Sequence, residues 1–164
     1  MVKSYEERNR KHVNAFLEWA RSLESAAAQE VNHWKSRFYP ENRLFECYLR
    51  AGIPQKGMRG EDDLPPTICI ARIEVVEEEQ GRGFFTALMD ALMRGADGFS
   101  YTRIECEEVV NPRLRAWLER NGFKPYQRPR IKTEKIVDPH LRALFEEVNG
   151  PSTTYYFDIE RAGA

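Results

Sequence analysis

The sequence predicts a mixed α/β fold, in which helices flank a β-sheet and the N-terminus is helical. Three observations lead to this prediction. Apolar residues recur at steps of three and four across residues 4–37. A run rich in β-branched residues, 67–75, passes through a glycine turn into a helical pattern, and a second such run, 101–110, leads into the helix start Asn111-Pro112. Strand and helix periods that alternate in this way are typical of the α/β class.

The size and charge of the chain narrow the class further. Its 164 residues fit one domain, 1–164, and its 25 basic and 26 acidic side chains leave a net charge of -1, which argues against a duplex-DNA binder. The N-terminus lacks the apolar core of a signal peptide, and no stretch approaches the length of a membrane span. We therefore predict a cytoplasmic protein with no membrane partner. Its three cysteines lack metal-ligand spacing, so no metal is expected.

The N-terminal part, 1–40, is predicted to be a helical segment, either one long helix or two with a break near residues 22–25. Val31 and Trp34 belong to its apolar stripe. A strand is predicted at 44–49. Glycines and prolines then mark a long loop at 51–66, of a kind that often covers a site or is mobile.

The remaining elements follow from their periodicity and end signals. Along the strand at 101–110, Arg103, Glu105 and Glu107 alternate with apolar residues, so this polar face is expected to meet solvent or a cleft. Asn111 is a good N-cap before a helix that ends at Asn121-Gly122. Further elements are predicted as a strand at 123–127, a helix at 139–148 and a strand at 153–159.

The glycine turn at residues 80–85 is the strongest functional signal. It reads Gln-Gly-Arg-Gly-Phe-Phe and lies where a strand gives way to a helix. The first N–H groups of a helix have no internal partner, and glycines let a phosphate approach them closely. The residue immediately before Gly81 is Gln80, not a Ser, Thr, Asp or Asn that would cap these groups. Taken alone, the pattern is a weak signal that a tight turn made of glycines explains more readily.

The order of strand, Q-x-x-G turn, helix, strand, Asn-started helix and Gly-Phe resembles the GNAT superfamily of acyl-CoA-dependent N-acyltransferases over residues 67–123. The resemblance implies a central twisted sheet flanked by helices, with acetyl-CoA as co-substrate. The strand would contact the pantetheine arm, the turn would bind the pyrophosphate, and an asparagine would lie near the pantetheine. By position, the implied cofactor-binding residues are Ile73, Val75, Gln80, Gly81, Arg82, Gly83, Phe84, Phe85 and Asn111.

Two positions depart from the family pattern. Phe85 stands where the family has a small Gly or Ala, although only its backbone need face the phosphates and its ring can turn into the core beside Met89. Leu118 stands where many members have the tyrosine that protonates the departing thiolate. The general acid is therefore not identified.

Transfer to an amine also requires a base. Glu107 is the first candidate, because its strand and the strand at 67–75 are expected to part where the thioester enters. Glu74 is the second candidate, and Glu105 is also compatible. A solvated surface carboxylate is the alternative interpretation of each.

The predicted function is transfer of an acetyl group from acetyl-CoA to a primary amine by direct attack in a ternary complex. A catalytically silent acyl-CoA sensor or interaction module is the alternative. A dinucleotide site is disfavoured, because the third small residue would fall at Thr86 and there are too few βαβ units. The acceptor is not specified. A homodimer through the N-terminal helix or the C-terminal strand stays open.

Overall fold

The computed structural model describes residues 4–29, 34–55, 59, 63–127, 131–150 and 152–160. In these residues the chain forms helices and one six-stranded sheet. The helices are α1 Tyr5–Ala28, α2 Phe84–Met93, α3 Pro112–Arg120 and α4 Pro139–Val148, with a 3₁₀ turn at Glu77–Glu79. The strands are β1 Trp34–Phe38, β2 Phe45–Gly52, β3 Thr67–Val75, β4 Arg103–Cys106, β5 Lys124–Pro125 and β6 Tyr155–Asp158.

The sheet is mixed, with strand order β1-β2-β3-β4-β6-β5. Only the pair β3 and β4 is parallel among the described strands, and α2 provides the crossover that a parallel connection requires. The other neighbouring strands are antiparallel. The predicted fold class, a mixed sheet flanked by helices with a helical N-terminus, is confirmed.

Helix α1 covers part of the sheet. Ser4 caps it by accepting a hydrogen bond from the Glu7 N–H at 3.3 Å. Its buried stripe includes Phe16 and Leu23, both fully inaccessible, and the helix contacts β1, β2 and α2. The predicted amphipathic helix is therefore confirmed for α1, and burial of its apolar face holds the helix on the sheet.

Strands β3 and β4 part midway along β3. Their pairing runs only from Thr67 to Ile70, and the Glu107 N–H donates to the Ile70 carbonyl at 3.0 Å just beyond it. Strand β3 continues to Val75 alongside β2, after a register shift that leaves Ala71 without an opposite residue. One edge of the second half of β3 is thus left without a neighbouring strand among the described residues.

Three sequence predictions need correction. Residues 34–38 form strand β1 and not the end of the N-terminal helix, because they pair antiparallel with β2 from Trp34 to Phe38. Trp34 fits the helical stripe by spacing alone, whereas Val31 lies outside the described residues. The predicted strands at 101–110 and 123–127 are shorter in the structure, as β4 and β5.

None of the helices in the described part of the chain is long and apolar enough to cross a bilayer.

The third correction concerns the polar face of β4. It was expected to meet solvent or a cleft, but Glu105 is fully buried and Arg103 is 8% exposed. These side chains can be buried because they are paired with opposite charges and a hydroxyl group, as described below.

Candidate functional site

The glycine turn lies between β3 and α2, as predicted. Gly81 and Gly83 have φ angles of +74° and +79°, a backbone region that residues with a Cβ rarely adopt. Gly83 is the N-cap of α2 and has no side chain to offer, and no side chain caps α2 among the described residues. The first N–H groups of α2 therefore remain available to an external anion.

A cleft of about 510 Å³, the turn cleft, opens at this helix N-terminus. It is bounded by the free half of β3, the glycine turn and the N-terminal half of α3. The turn cleft is lined by Ile73, Glu74, Val75, Glu79, Gln80, Gly81, Gly83, Phe84, Phe85, Thr86, Asn111, Arg113, Leu114 and Trp117.

Most of the sequence-predicted residues therefore come together. Arg82 and Glu107 do not line the turn cleft. Arg82 lines a separate cleft of about 630 Å³ between α1 and α2, and Glu107 belongs to a cluster beyond the end of β4. The side-chain amide of Gln80 donates to the Val75 carbonyl at 2.9 Å, which ties the turn to the end of β3.

The Phe85 side chain, at a position where the family has Gly or Ala, is accommodated by packing against an aromatic neighbour. Its ring packs edge-on against Trp117, with 5.1 Å between ring centroids, and both rings line the turn cleft. The departure from the family pattern thus adds an aromatic wall to the cleft.

Asn111 has the capping role that its residue type predicts. Its Oδ1 accepts from the Arg113 N–H at 2.9 Å and from the Leu114 N–H at 3.4 Å. The N-terminal amides of α3 are therefore partly satisfied from within the chain, in contrast to those of α2. Any contact of Asn111 with a ligand would be additional to this cap.

Charges beside the turn are balanced by α1. Glu79 accepts from Arg8 through both carboxylate oxygens and from Arg82 at 3.1 Å. The hydrogen bond from Arg8 lowers the pKa of Glu79 below its ordinary value. The Tyr5 ring lies under both guanidinium groups, with centroid distances of 5.1 and 4.9 Å. A carboxylate next to an anion site would repel the anion, and these arginines offset that repulsion.

A second polar assembly, the ionic cluster, runs along β4 from its first residue to just beyond its end. It consists of Arg50, Arg59, Arg103, Glu105, Glu107, Tyr126 and Asp158. Glu105 accepts from Arg59 at 3.1 and 3.2 Å and from the Tyr126 hydroxyl. Glu107 accepts from Arg50 at 2.6 Å on each oxygen and from Arg59. Both candidate carboxylates, Glu105 in β4 and Glu107 just beyond it, are thus held by guanidinium groups.

Arg103, the first residue of β4, links Asp158 and Tyr126 to the cluster. It donates to Asp158 at 2.6 and 3.0 Å and to the Tyr126 hydroxyl at 3.1 Å, and its guanidinium lies 4.3 Å from the Tyr156 ring centroid. Burial and the neighbouring carboxylate of Glu105 raise the pKa of Tyr126. Burial disfavours the charged guanidinium of Arg59, but Glu105 and Glu107 outweigh it and raise the pKa of Arg59.

One set of metal-ligating side chains comes together in the part of the chain that the structure describes. Cys69, Glu105 and Glu107 bring ligand atoms within 4.8 Å of one another. Arg59 binds both carboxylates and already supplies positive charge there. Burial, followed by the charges of Glu105 and Glu107, raises the pKa of the Cys69 thiol well above its ordinary value. This thiol is therefore a poor nucleophile at neutral pH.

The remaining predicted residues differ in exposure. The Glu74 side chain is 66% exposed at the rim of the turn cleft and forms an ion pair with Arg72 at 3.1 Å. Leu118, which stands where the family has its tyrosine, is fully buried in the core. Sequence reasoning missed the participation of Asn9, Arg59 and Tyr126. Only Asn9 left a signal, as a polar residue one turn before Val13 on the apolar stripe of α1.

No protein-family model matches the sequence, and no curated protein matches it. Two solved structures share part of their architecture with the chain. One is a tyrosine-to-phenylalanine mutant of the AtaT toxin bound to the C-terminus of the antitoxin AtaR and acetyl-CoA, with 14% identity and a TM-score of 0.41. The other is N-acetylglutamate synthase from Neisseria gonorrhoeae complexed with coenzyme A and N-acetyl-glutamate, with 12% identity and a TM-score of 0.36.

Both likenesses are distant and partial. The first covers 70% of this chain and 58% of the toxin chain, and the second covers 92% of this chain and 33% of the synthase chain. The geometry of the turn cleft therefore carries the functional proposal.

Proposed function

We propose that this protein binds acyl-CoA in the turn cleft and transfers the acyl group, acetyl in the first instance, to a primary amine. The observation that carries this proposal is the uncapped N-terminus of α2, preceded by two positive-φ glycines and opening onto a cleft beside the free edge of β3. Backbone N–H groups at such a helix start favour a phosphate by both hydrogen bonding and the helix dipole.

The parts of the ligand have matching surfaces in this arrangement. The pyrophosphate would meet the amides of residues 81–85, and Gln80 would keep the turn in register with β3. The pantetheine arm has amide groups that can pair with the unpaired edge of β3 near Ile73 and Val75, in the manner of an added strand. The thioester would then lie toward the fork where β3 and β4 part.

The reaction is a simple acyl transfer. The amine nitrogen attacks the thioester carbonyl, the C–N bond forms and the C–S bond breaks, so that CoA leaves as a thiolate. The nitrogen loses one proton to a base, and the thiolate gains one from an acid or from water. Metal and redox partners are not required to balance this step.

We retain Glu107 as the first candidate for the base and Glu74 as the second. The Glu107 N–H pairs with Ile70 at the fork itself, which supports its position near the thioester. Its two oxygens accept from Arg50 and Arg59, so proton uptake would require one of these bonds to loosen. Glu74 is freer of partners and lies at the cleft rim, but it is at the far end of β3 from the fork.

A second function, acyl-CoA binding without turnover, is supported by a specific observation. The general acid of the family is replaced by the fully buried Leu118, and Tyr126, which is also buried, donates to Glu105. A sensor or interaction module would need only the turn cleft. The amine acceptor, a cytoplasmic location and a homodimer all stay predictions.

The test has two stages. Acetyl-CoA and CoA should each stabilise the protein, by about 2.7 kcal/mol at one hundred times the dissociation constant. Thiol release is then measured with polyamines, small amines and peptides as acceptors. An unchanged melting temperature with both ligands contradicts both functions, and stabilisation without thiol release across the acceptors favours the sensor.

The base is tested by Glu107→Gln, with Glu74→Gln in parallel and the exposed Glu46→Gln as the matched control. A base contributes about 100-fold to 10,000-fold in rate. We expect Glu107→Gln to lose thiol release on this scale while it still binds acetyl-CoA. Full activity of Glu107→Gln with loss in Glu74→Gln would transfer the role to Glu74.

A further inference from the structure

The first turns of α1 contact the glycine turn through a buried asparagine. Asn9 Nδ2 donates to the Arg82 carbonyl oxygen at 2.8 Å, and only 4% of Asn9 is exposed. The amide can point only this way, because the reversed orientation would bring two oxygens together. Helix α1 therefore holds the peptide group that joins Arg82 to Gly83.

This contact determines where the Gly83 N–H points. The peptide is trans, so its C=O and N–H point in opposite directions. Because Asn9 holds the carbonyl toward α1, the Gly83 N–H is directed away from α1. Gly83 lies between two clefts: Asn9 and Arg82 line only the cleft between α1 and α2, whereas the turn cleft opens on the side of Gly83 that neither of them reaches.

Asn9 is a poor choice for stability alone. Its Oδ1 is buried and has no hydrogen-bond partner among the described residues. An unpaired buried acceptor destabilises a protein, and an apolar side chain at this position would continue the stripe of Val13, Phe16 and Leu17. The hydrogen bond from Asn9 Nδ2 to the Arg82 carbonyl explains why an asparagine stands at this position.

We infer that Asn9 is a positioning residue of the glycine turn. It fixes the Arg82–Gly83 peptide so that the Gly83 N–H is presented to a phosphate oxygen before the ligand arrives. Preorganised donors bind an anion more tightly because no ordering cost remains at the moment of binding. The identity of the anion as the CoA pyrophosphate rests on the proposed function.

The experiment compares Asn9→Ala and Asn9→Leu with Asn14→Ala, which removes an exposed asparagine from the same helix. The dissociation constant of acetyl-CoA is measured by calorimetry. Asn9→Ala and Asn9→Leu should each weaken binding about tenfold, which corresponds to about 1.4 kcal/mol. Asn14→Ala should bind as the wild type does. The melting temperature of Asn9→Leu without ligand should be no lower than that of the wild type.

A second measurement without ligand separates the two proposals. The ¹⁵N order parameter of the Gly83 amide should fall in both Asn9 variants and stay unchanged in Asn14→Ala. If both Asn9 variants bind acetyl-CoA with the dissociation constant of the wild type, the inference is overturned and the proposed function still stands. A wild type that binds neither acetyl-CoA nor CoA overturns the proposed function and the phosphate role of Asn9. An unchanged Gly83 amide in both variants overturns the positioning role itself.

Discussion

The turn cleft and the ionic cluster are both polar, but they differ in how completely their hydrogen-bonding groups are paired. In the ionic cluster, Glu105, Glu107 and Tyr126 each bind partners supplied by the chain itself. At the turn cleft, α2 begins at a glycine with no side-chain cap. One region satisfies its polar groups internally, and the other leaves donors for a ligand.

This difference separates a structural role from a binding role. Buried charges that are fully paired hold strands and loops in one arrangement, and removing one partner leaves the other charge buried and alone. Donors at an open helix start cost little because water can reach them until a ligand replaces it. Mutations of the fully buried Glu105 in the ionic cluster should therefore act on stability, and mutations in the glycine turn should act on affinity.

The largest effect is expected for Glu105→Ala. Removal of this fully buried carboxylate leaves Arg59 and the Tyr126 hydroxyl without it. We expect a loss of about 3 to 5 kcal/mol in the free energy of unfolding, measured by urea denaturation. Glu105→Gln, which keeps the shape, covers the case in which the alanine variant does not fold.

Glu46→Ala is the matched control for Glu105→Ala. Its side chain is 67% exposed and its ion pair with Arg72 spans 3.6 Å, so it should cost no more than about 1 kcal/mol. Equal effects of the two substitutions would contradict the contrast between a paired interior and an open surface.

The second effect concerns affinity. Gly83→Ala forces an alanine to a φ of +79° at the start of α2, whereas Gly95→Ala forces one to +69° just beyond its end. Both should cost about 1 to 2 kcal/mol in the free energy of unfolding. Only Gly83→Ala should also weaken acetyl-CoA binding, by about tenfold or 1.4 kcal/mol in calorimetry. Equal binding by both variants would remove the glycine turn from the site.

The smallest effect is expected at the edge of the turn, for Arg8→Met. Arg8 lowers the pKa of Glu79 below 4.5, so its stabilising contribution is present above pH 4.5 and is lost as the pH falls through the lowered pKa. The variant should be less stable than the wild type at pH 7, and this difference should shrink under acid. Urea denaturation at pH 7 and pH 3 checks this. A stability difference that grows under acid would contradict it.

Local patterns predicted most of the elements. The period of α1, the β-branched run of β3 and the Asn-Pro start of α3 depend on neighbours in sequence, so they are readable without the fold. The strand at Trp34–Phe38 was missed, because its identity depends on pairing with β2 and not on its own spacing. The buried polar face of β4 was missed for a similar reason, since Arg59 and Tyr126 come from distant segments.

The sequence by itself determined the glycine turn, its uncapped helix and the strand before it, because these follow from residue types at adjacent positions. Tertiary structure alone decided that β3 and β4 part beyond Ile70, that Arg50 and Arg59 bind Glu107, and that Asn9 holds the peptide before Gly83. Each of these depends on residues far apart in the chain, whose meeting is set by the packing of α1 and the sheet.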